Sequence, residues 1–292
     1  PLRVDTLLSF PHELLPLLLL GITDETEKLG KSALELVEAV GRTFEARKAT
    51  ARAAKRAAKA ADSGAQAEED EAVMETDAMD VEMEPTVPLL PPFTGRPGAG
   101  CRHLVQQMLK ELLKPVLQDV KEWTVALRTA AARQLYTLVL LAEGKMEDFL
   151  DTILPALCSA VSDDAVDVAT RVVAATHSLG SNIPVRSWMP LMLDAVKGEQ
   201  VRAQSRASGL VVMAALLRTA NAASMPDDLI LEMADVLACK ELRTSDHPAV
   251  RRQLFAATTN LVCGSHACRP RHCAPPWSAV RLGADPCCLE EQ

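Results

Sequence analysis

The chain has 292 residues, of which 31 are basic and 39 acidic, so its formal net charge is −8. This acidity argues against nucleic acid as the main partner. No stretch approaches the roughly 18 consecutive apolar residues of a membrane span, so no membrane association is expected. Only nine residues are aromatic while alanine and leucine abound, which disfavours a β-sandwich or barrel and predicts an all-α fold. Residue 1 is proline, which suggests a fragment or a processed product, and no secretory signal pattern follows it.

Residues 1–61 are predicted to be helical. A leucine-rich helix contains Pro16, and Thr23-Asp24 separates it from a second helix. Between residues 42 and 59 that second helix carries seven basic residues and one acidic residue, and most of its other positions are alanine. We expect a solvated basic helical extension. An anionic partner and a nuclear-localisation patch remain alternatives.

An acidic, proline-rich, disordered linker is predicted at residues 62–97. Residues 62–85 hold ten acidic residues and no basic one, and such one-sign charge with low hydrophobicity predicts disorder. Five prolines between Pro85 and Pro97 predict a stiff continuation of the linker.

Residues 98–263 are predicted to form a repeat array. Pro115, Pro155 and Pro190 each occur in the first helix of a predicted unit, and Pro16 occupies the same place in the N-terminal unit. A small or β-branched residue follows each proline at a fixed distance in the second helix: Ala33, Ala132, Val172 and Ala207. Glycines 41 and 180 are predicted to stop second helices. A last unit lacks the proline, and its second helix is expected to begin near Pro248.

A helix–turn–helix repeat of roughly 35 to 45 residues is the period of HEAT and armadillo arrays. The predicted fold is therefore all-α, a HEAT/armadillo-type α-solenoid of stacked antiparallel helix pairs, interrupted by the disordered acidic linker. Each pair is too small to bury its apolar face alone, whereas stacked pairs share one continuous core.

No catalytic constellation is present in the sequence, and we expect no enzyme, cofactor or small-molecule substrate. Aspartates 163, 164 and 167 are expected to cap a helix, and Trp123 and Trp188 to act as packing anchors. Solenoids commonly bind partners along the face of their second helices. Four arginines early in those helices are therefore candidate partner contacts: Arg128, Arg171, Arg206 and Arg251. The alternative for these arginines is an ion pair within the array.

The tail, residues 264–292, is rich in Cys, Pro and Arg and departs from the composition of the array. Three cysteines five residues apart, from Cys263 to Cys273, alternate with His266 and His272, which leaves a zinc site as an alternative. Structural zinc pairs are usually two to four residues apart, so we predict no metal site and an unstructured tail or a gene-model artefact.

A run from Gly95 to Val105 stands just ahead of one repeat. It is followed by a set of spaced apolar, basic and acidic residues: Leu113, Pro115, Asp119, Trp123, Arg128, Ala131, Leu135 and Ala142-Glu143. This pattern resembles the dynein axonemal assembly factor 5 family, also called HEAT repeat-containing protein 2, over about residues 94–180. The basic helix and the Cys-rich tail do not match that pattern.

The resemblance implies a non-enzymatic scaffold or co-chaperone that helps axonemal dynein arms assemble in the cytoplasm before transport into cilia or flagella. It implies protein partners, namely axonemal dynein chains with chaperones or other assembly factors, and it carries over no catalytic residue. The alternative is a different HEAT scaffold, such as a transport receptor or a phosphatase-associated array.

Overall fold

A computed structural model of the protein describes residues 11–62, 88–197, 202–220 and 225–265, which form helices and no β-strand. A 3₁₀ segment, Glu143–Phe149, precedes the sixth helix. The α-helices are α1 (Pro11–Ile22), α2 (Glu27–Asp62), α3 (Ala99–Gln107), α4 (Leu109–Asp119), α5 (Val125–Ala142), α6 (Leu150–Ala160), α7 (Val166–Asn182), α8 (Val185–Lys197), α9 (Ala203–Thr219), α10 (Asp227–Leu237), α11 (Lys240–Arg243) and α12 (Pro248–Ser265).

The helices stack as antiparallel pairs, as the sequence predicts. The pairs are α1–α2, α4–α5, α6–α7, α8–α9 and α10–α12. The predicted prolines lie inside the first helices of four pairs: Pro16, Pro115, Pro155 and Pro190. The last pair lacks this proline, and its second helix begins at Pro248, so that prediction is also confirmed.

Small buried residues let the second helices pack against one another. Helix α5 contacts α7, α7 contacts α9, and α9 contacts α12. The four residues predicted at fixed distance from the prolines are all buried: Ala33, Ala132, Val172 and Ala207. They belong to one apolar cluster that runs through the array, which is the continuous core expected of stacked repeats.

Glycines mark two close helix crossings. A Cβ atom on Gly180, inside α7, would lie 2.5 Å from the carbonyl oxygen of Leu216 on α9. A Cβ atom on Gly41 would collide with the backbone of Cys101 on α3. The prediction that Gly41 stops a helix is wrong, because α2 continues through it to Asp62 and the glycine serves the crossing instead.

The end of the predicted linker is packed against the array. Phe93 is buried, and its ring meets that of Tyr136 on α5 edge to face, with centroids 6.3 Å apart. The backbone N–H of Leu90 donates to the Tyr136 hydroxyl oxygen at 2.9 Å. The prediction of disorder is therefore wrong for residues 88–97, because this segment buries an aromatic side chain and anchors its backbone. Residues 63–87, with most of the acidic run, lie outside the described residues.

The two tryptophans behave differently. Trp188 is fully buried and is a packing anchor, as predicted. Trp123 is 87% exposed, so the same prediction is wrong for it, because it lies in the turn after α4 rather than inside a helix.

Helix α2 includes the basic run, and its residues 51–55 are exposed, as expected of a solvated extension. The tail beyond residue 265 lies outside the described residues, and the division into four segments stays a prediction. In the described part of the chain, no helix combines the length and apolarity needed to cross a bilayer.

Candidate functional site

Arg128 fastens two successive turns of the array. Its Nε and Nη2 atoms donate to the two carboxylate oxygens of Asp163 at 2.6 and 3.1 Å, and Nη2 also donates to Asp164 at 2.7 Å. Its Nη1 donates to the carbonyl oxygens of Trp123 at 2.9 Å and of Glu122 at 3.2 Å. Arg128 thus ties the turn before α5 to the turn before α7.

The electrostatics of this pair follow from the same contacts. Burial on its own would raise the pKa of Asp163, but hydrogen bonds from Arg128 and from the backbone N–H of Ala165 outweigh it, and the pKa lies below the usual value. The same hydrogen bond to Asp163 raises the pKa of Arg128 above its usual value. Asp163 accepts from the Ala165 N–H at 2.9 Å, but Ala165 is itself the N-cap residue of α7, and that helix has no side-chain cap hydrogen bond. The predicted capping role is therefore wrong for Asp163, which holds the turn before the helix instead.

Two other predicted arginines also form hydrogen bonds within the array, Arg206 to the end of α8 and Arg251 to the turn before α12. Arg206 and Arg251 occupy the fourth position of their helices, as Arg128 does in α5. Arg206 donates to the carbonyl oxygen of Val196 at 3.2 Å. Arg251 donates to the carbonyl oxygen of Ser245 at 2.8 Å and to Asp246 at 2.9 Å. These contacts favour the alternative of bonds within the array, and contact with a partner stays an untested prediction for all three.

Arg171 differs from the other three arginines. It lines a cavity of about 400 Å³ together with Arg133, which the sequence analysis did not single out. The remaining walls come from the turn between α1 and α2, from Pro91 and Pro92, and from Tyr136 and Thr137 on α5. The repeat pattern gives no signal for Arg133. It lies 18 residues after Pro115 whereas Arg171 lies 16 residues after Pro155, so the two are not at equivalent positions of their repeats.

The two guanidinium groups in this cavity have few acceptors. Arg133 reaches Glu25 and Asp167 only at 3.5 Å each, and its Nε atom is buried with no hydrogen-bond partner. Arg171 donates to the Pro91 carbonyl oxygen at 3.4 Å and, among the described residues, forms no ion pair within 4.0 Å. Burial lowers the pKa of Arg171, and the nearby positive charge of Arg133 lowers it further.

A second cavity, of about 520 Å³, lies between α6, α8 and the start of α9 and is mostly apolar. Burial raises the pKa of Cys158, which lines it, to about 11, so this cysteine is a neutral thiol at pH 7. Burial, followed by the charge of Arg218, lowers the pKa of His177 to about 4. Across the described ranges, no cluster of three or more His, Cys, Asp or Glu side chains could hold a metal ion. The Cys/His candidate in the tail lies outside them, apart from the backbone of Cys263.

The stacked helix pairs and their shared core define the class of the protein: a HEAT-type α-solenoid. Residues 88–272 match the family model described as "Dynein axonemal assembly factor 5, HEAT-repeat domain". The chain therefore belongs to the dynein axonemal assembly factor 5 family. The match extends past residue 263, so it includes the start of the segment that the sequence analysis set apart as a tail.

Three relatives named dynein axonemal assembly factor 5 align with the chain. The mouse protein is 30% identical over 210 residues, or 72% of this chain and 21% of the relative. The human protein is 26% identical over 258 residues, or 88% of this chain and 27% of the relative. The Xenopus laevis protein is 25% identical over 217 residues, or 74% of this chain and 22% of the relative. The chain thus spans about a quarter of the length of the relatives it matches.

Proposed function

We propose that this chain is a non-enzymatic scaffold or co-chaperone for the preassembly of axonemal dynein arms in the cytoplasm. The observation that carries the proposal is the match of residues 88–272 to the family model, together with three relatives that bear the family name. The proposed partners are axonemal dynein chains and the chaperones or assembly factors that act on them.

The architecture supports a scaffold. Stacked helix pairs offer a long, continuous surface on which a partner makes many shallow contacts. Three of the four predicted arginines are hydrogen-bonded within the array, to turns in the case of Arg128 and Arg251 and to the end of α8 in the case of Arg206.

Affinity capture from the cytoplasm of a ciliated cell tests the proposal, with the 292-residue chain as bait and mass spectrometry as the readout. The expected result is enrichment of dynein heavy or intermediate chains together with chaperones. Enrichment of a small transport GTPase or a phosphatase subunit, without dynein chains, would contradict the proposal and favour a different HEAT scaffold.

A packing variant provides the control bait. Gly180→Leu places a large side chain where even a Cβ atom would lie 2.5 Å from the Leu216 carbonyl oxygen, so α7 and α9 are forced apart. We expect this variant to lose helical content by circular dichroism and to lose the captured dynein chains. Equal capture by this disrupted bait would show that the enrichment does not depend on the folded array.

A further inference from the structure

The arginine cavity is defined by Arg133 and Arg171 with the turn between α1 and α2 and Pro91-Pro92. Among the described residues, its two guanidinium groups have no acceptor closer than 3.4 Å. Each guanidinium carries five N–H donors. The contacts to Glu25, Asp167 and the Pro91 carbonyl oxygen are all at 3.4 to 3.5 Å, at the long limit for a hydrogen bond. The Nε atom of Arg133 is buried and has no partner at all.

Burying guanidinium donors in this way costs free energy unless hydrogen-bond acceptors are supplied. A buried donor without an acceptor loses its hydration and gains nothing in return. Two guanidinium groups lining one cavity also repel each other, and this repulsion contributes to the lowered pKa of Arg171. An anion between them would supply acceptors to the Nη donors of both groups and reduce the repulsion, whereas the Nε atom of Arg133 is enclosed by protein atoms and is not among the donors that face the cavity.

We propose that the arginine cavity binds a carboxylate side chain of an acidic peptide, held between the guanidinium groups of Arg133 and Arg171. The two oxygens of a carboxylate match the planar fork of a guanidinium, and the resulting charge-assisted bonds are stronger than neutral ones. The inference does not rest on the proposed function.

Carboxylates around the cavity repel an incoming anion. Glu25 and Asp167 lie at the rim with side chains 85% and 71% exposed, and Asp24 and Glu27 also line the cavity. Solvent screens these exposed carboxylates, so they repel an incoming anion less strongly than the Arg133 guanidinium, whose side chain is 18% exposed, attracts it.

The remaining walls suit a peptide. Ile22, Pro92 and the ring of Tyr136 give the cavity apolar surface next to the two cations. A volume of about 400 Å³ accommodates an acidic side chain with part of its backbone. The carboxylate has two possible sources, the acidic residues of segment 62–85 of this chain or an acidic segment of a partner.

Isothermal titration calorimetry of the purified full chain with a blocked hexaglutamate peptide at low salt tests the site. We expect Arg133→Gln/Arg171→Gln to weaken binding at least about tenfold, because it removes both cationic donors. Arg171→Lys keeps the charge but loses the fork, and we expect an intermediate loss. A hexaglutamine peptide should not bind.

The basic extension of α2 offers a matched control. Lys48→Gln/Lys55→Gln removes two positive charges from the most basic surface of the chain and leaves the cavity intact. We expect this variant to bind hexaglutamate within about twofold of wild type. Equal losses in the two double variants would show unspecific attraction and overturn the proposal, as would unchanged binding in Arg133→Gln/Arg171→Gln.

Two further arms identify the anion and its source. Tighter binding of a phosphoserine peptide of equal charge would overturn the carboxylate assignment.

Replacing the acidic residues of segment 62–85 by their amides removes an internal competitor. Tighter hexaglutamate binding in that variant, absent when the same replacement is made in the Arg133→Gln/Arg171→Gln background, would assign the carboxylate to the chain itself. An equal gain in both backgrounds would show unspecific attraction and overturn the proposal. Unchanged binding, still dependent on both arginines, would support the site and assign its carboxylate to a partner.

Discussion

Arg128 and Arg133 lie on the same helix, α5, and are buried to nearly the same degree, with side chains 13% and 18% exposed. Their surroundings differ in acceptors. Arg128 has three carboxylate oxygens and two carbonyl oxygens within 3.2 Å. Arg133 has two carboxylates at 3.5 Å and a buried Nε atom without a partner.

Burial and charge alone therefore do not distinguish an arginine that holds the fold from an arginine that binds a ligand. The number of nearby hydrogen-bond acceptors separates them. A guanidinium whose donors are all paired inside the fold gains no hydrogen bonds from a ligand, whereas one with unpaired donors gains them. In this array the first kind fastens turns, and the second kind lines a cavity that α5 and α7 share with the turn between α1 and α2.

The largest expected difference concerns thermal stability. Arg128→Met should lower the Tm by roughly 5–10 °C, because it leaves the buried Asp163 carboxylate without its cation and frees two turn carbonyls. Arg133→Met should change the Tm by less than about 2 °C, because it removes few good hydrogen bonds and relieves the repulsion with Arg171. Differential scanning calorimetry of the two variants makes the measurement. Similar losses in both would remove the distinction between the two sites.

The pH dependence of stability sharpens the comparison. The pKa of Asp163 is lower in the folded chain than the value of about 3.9 expected when unfolded. Its ion pair therefore contributes fully above about pH 5, and the contribution is lost as the pH falls through the folded pKa. In urea unfolding at several pH values, the advantage of wild type over Asp163→Asn should shrink below about pH 4. In an Arg128→Met background, the pH-dependent part of the stability effect of Asp163→Asn should be smaller. A stability advantage of wild type over Asp163→Asn that persisted in full at low pH would contradict the account.

Double-mutant cycles measure the pairs themselves. The coupling between Arg133 and Glu25 should not exceed about 0.5 kcal/mol, because the contact is long and the Glu25 carboxylate is exposed. The coupling between Arg128 and Asp163 should be several times larger, since both partners are buried and the contact is bidentate. Arg128→Gln, Asp163→Asn, Arg133→Gln and Glu25→Gln, singly and in pairs, supply the two cycles. A stronger coupling at Arg133 would mean that its acceptors are adequate.

The smallest effect is expected at Trp123. Its ring is exposed, and only its backbone carbonyl accepts from Arg128. Trp123→Ala keeps that carbonyl and should change the free energy of unfolding by less than about 0.5 kcal/mol. Urea unfolding beside Arg128→Met gives the comparison. A loss as large as that of Arg128→Met would show that the ring, rather than the carbonyl, holds the turn.

Much of the fold follows from local sequence pattern. The aligned prolines and the small residues that follow them predict the helix pairs, because both features reflect constraints repeated in every unit. The place of Arg128 early in a second helix likewise indicated an ion pair as an alternative. The exposure of Trp123 did not follow, because a turn residue shows no helical periodicity.

The arginine cavity and the glycine crossing depend on contacts distant in sequence. Gly41 serves a crossing with Cys101, and Arg171 meets Pro91, which the sequence placed in a disordered linker. Phe93 decides the course of that segment by packing on Tyr136. The sequence around one residue of such a contact does not indicate which distant residue it meets. The packing of residues 88–97 against the array, and the cavity that this packing helps to form, could therefore not be predicted.

The most direct test of the division between the two kinds of arginine is nuclear magnetic resonance of the arginine Nε–Hε groups, assigned through single arginine-to-lysine variants. Titration of the full chain with hexaglutamate should shift the signals of Arg133 and Arg171 and leave that of Arg128 unchanged. An equal shift at Arg128, or unshifted signals of Arg133 and Arg171 at saturating peptide, would contradict the account.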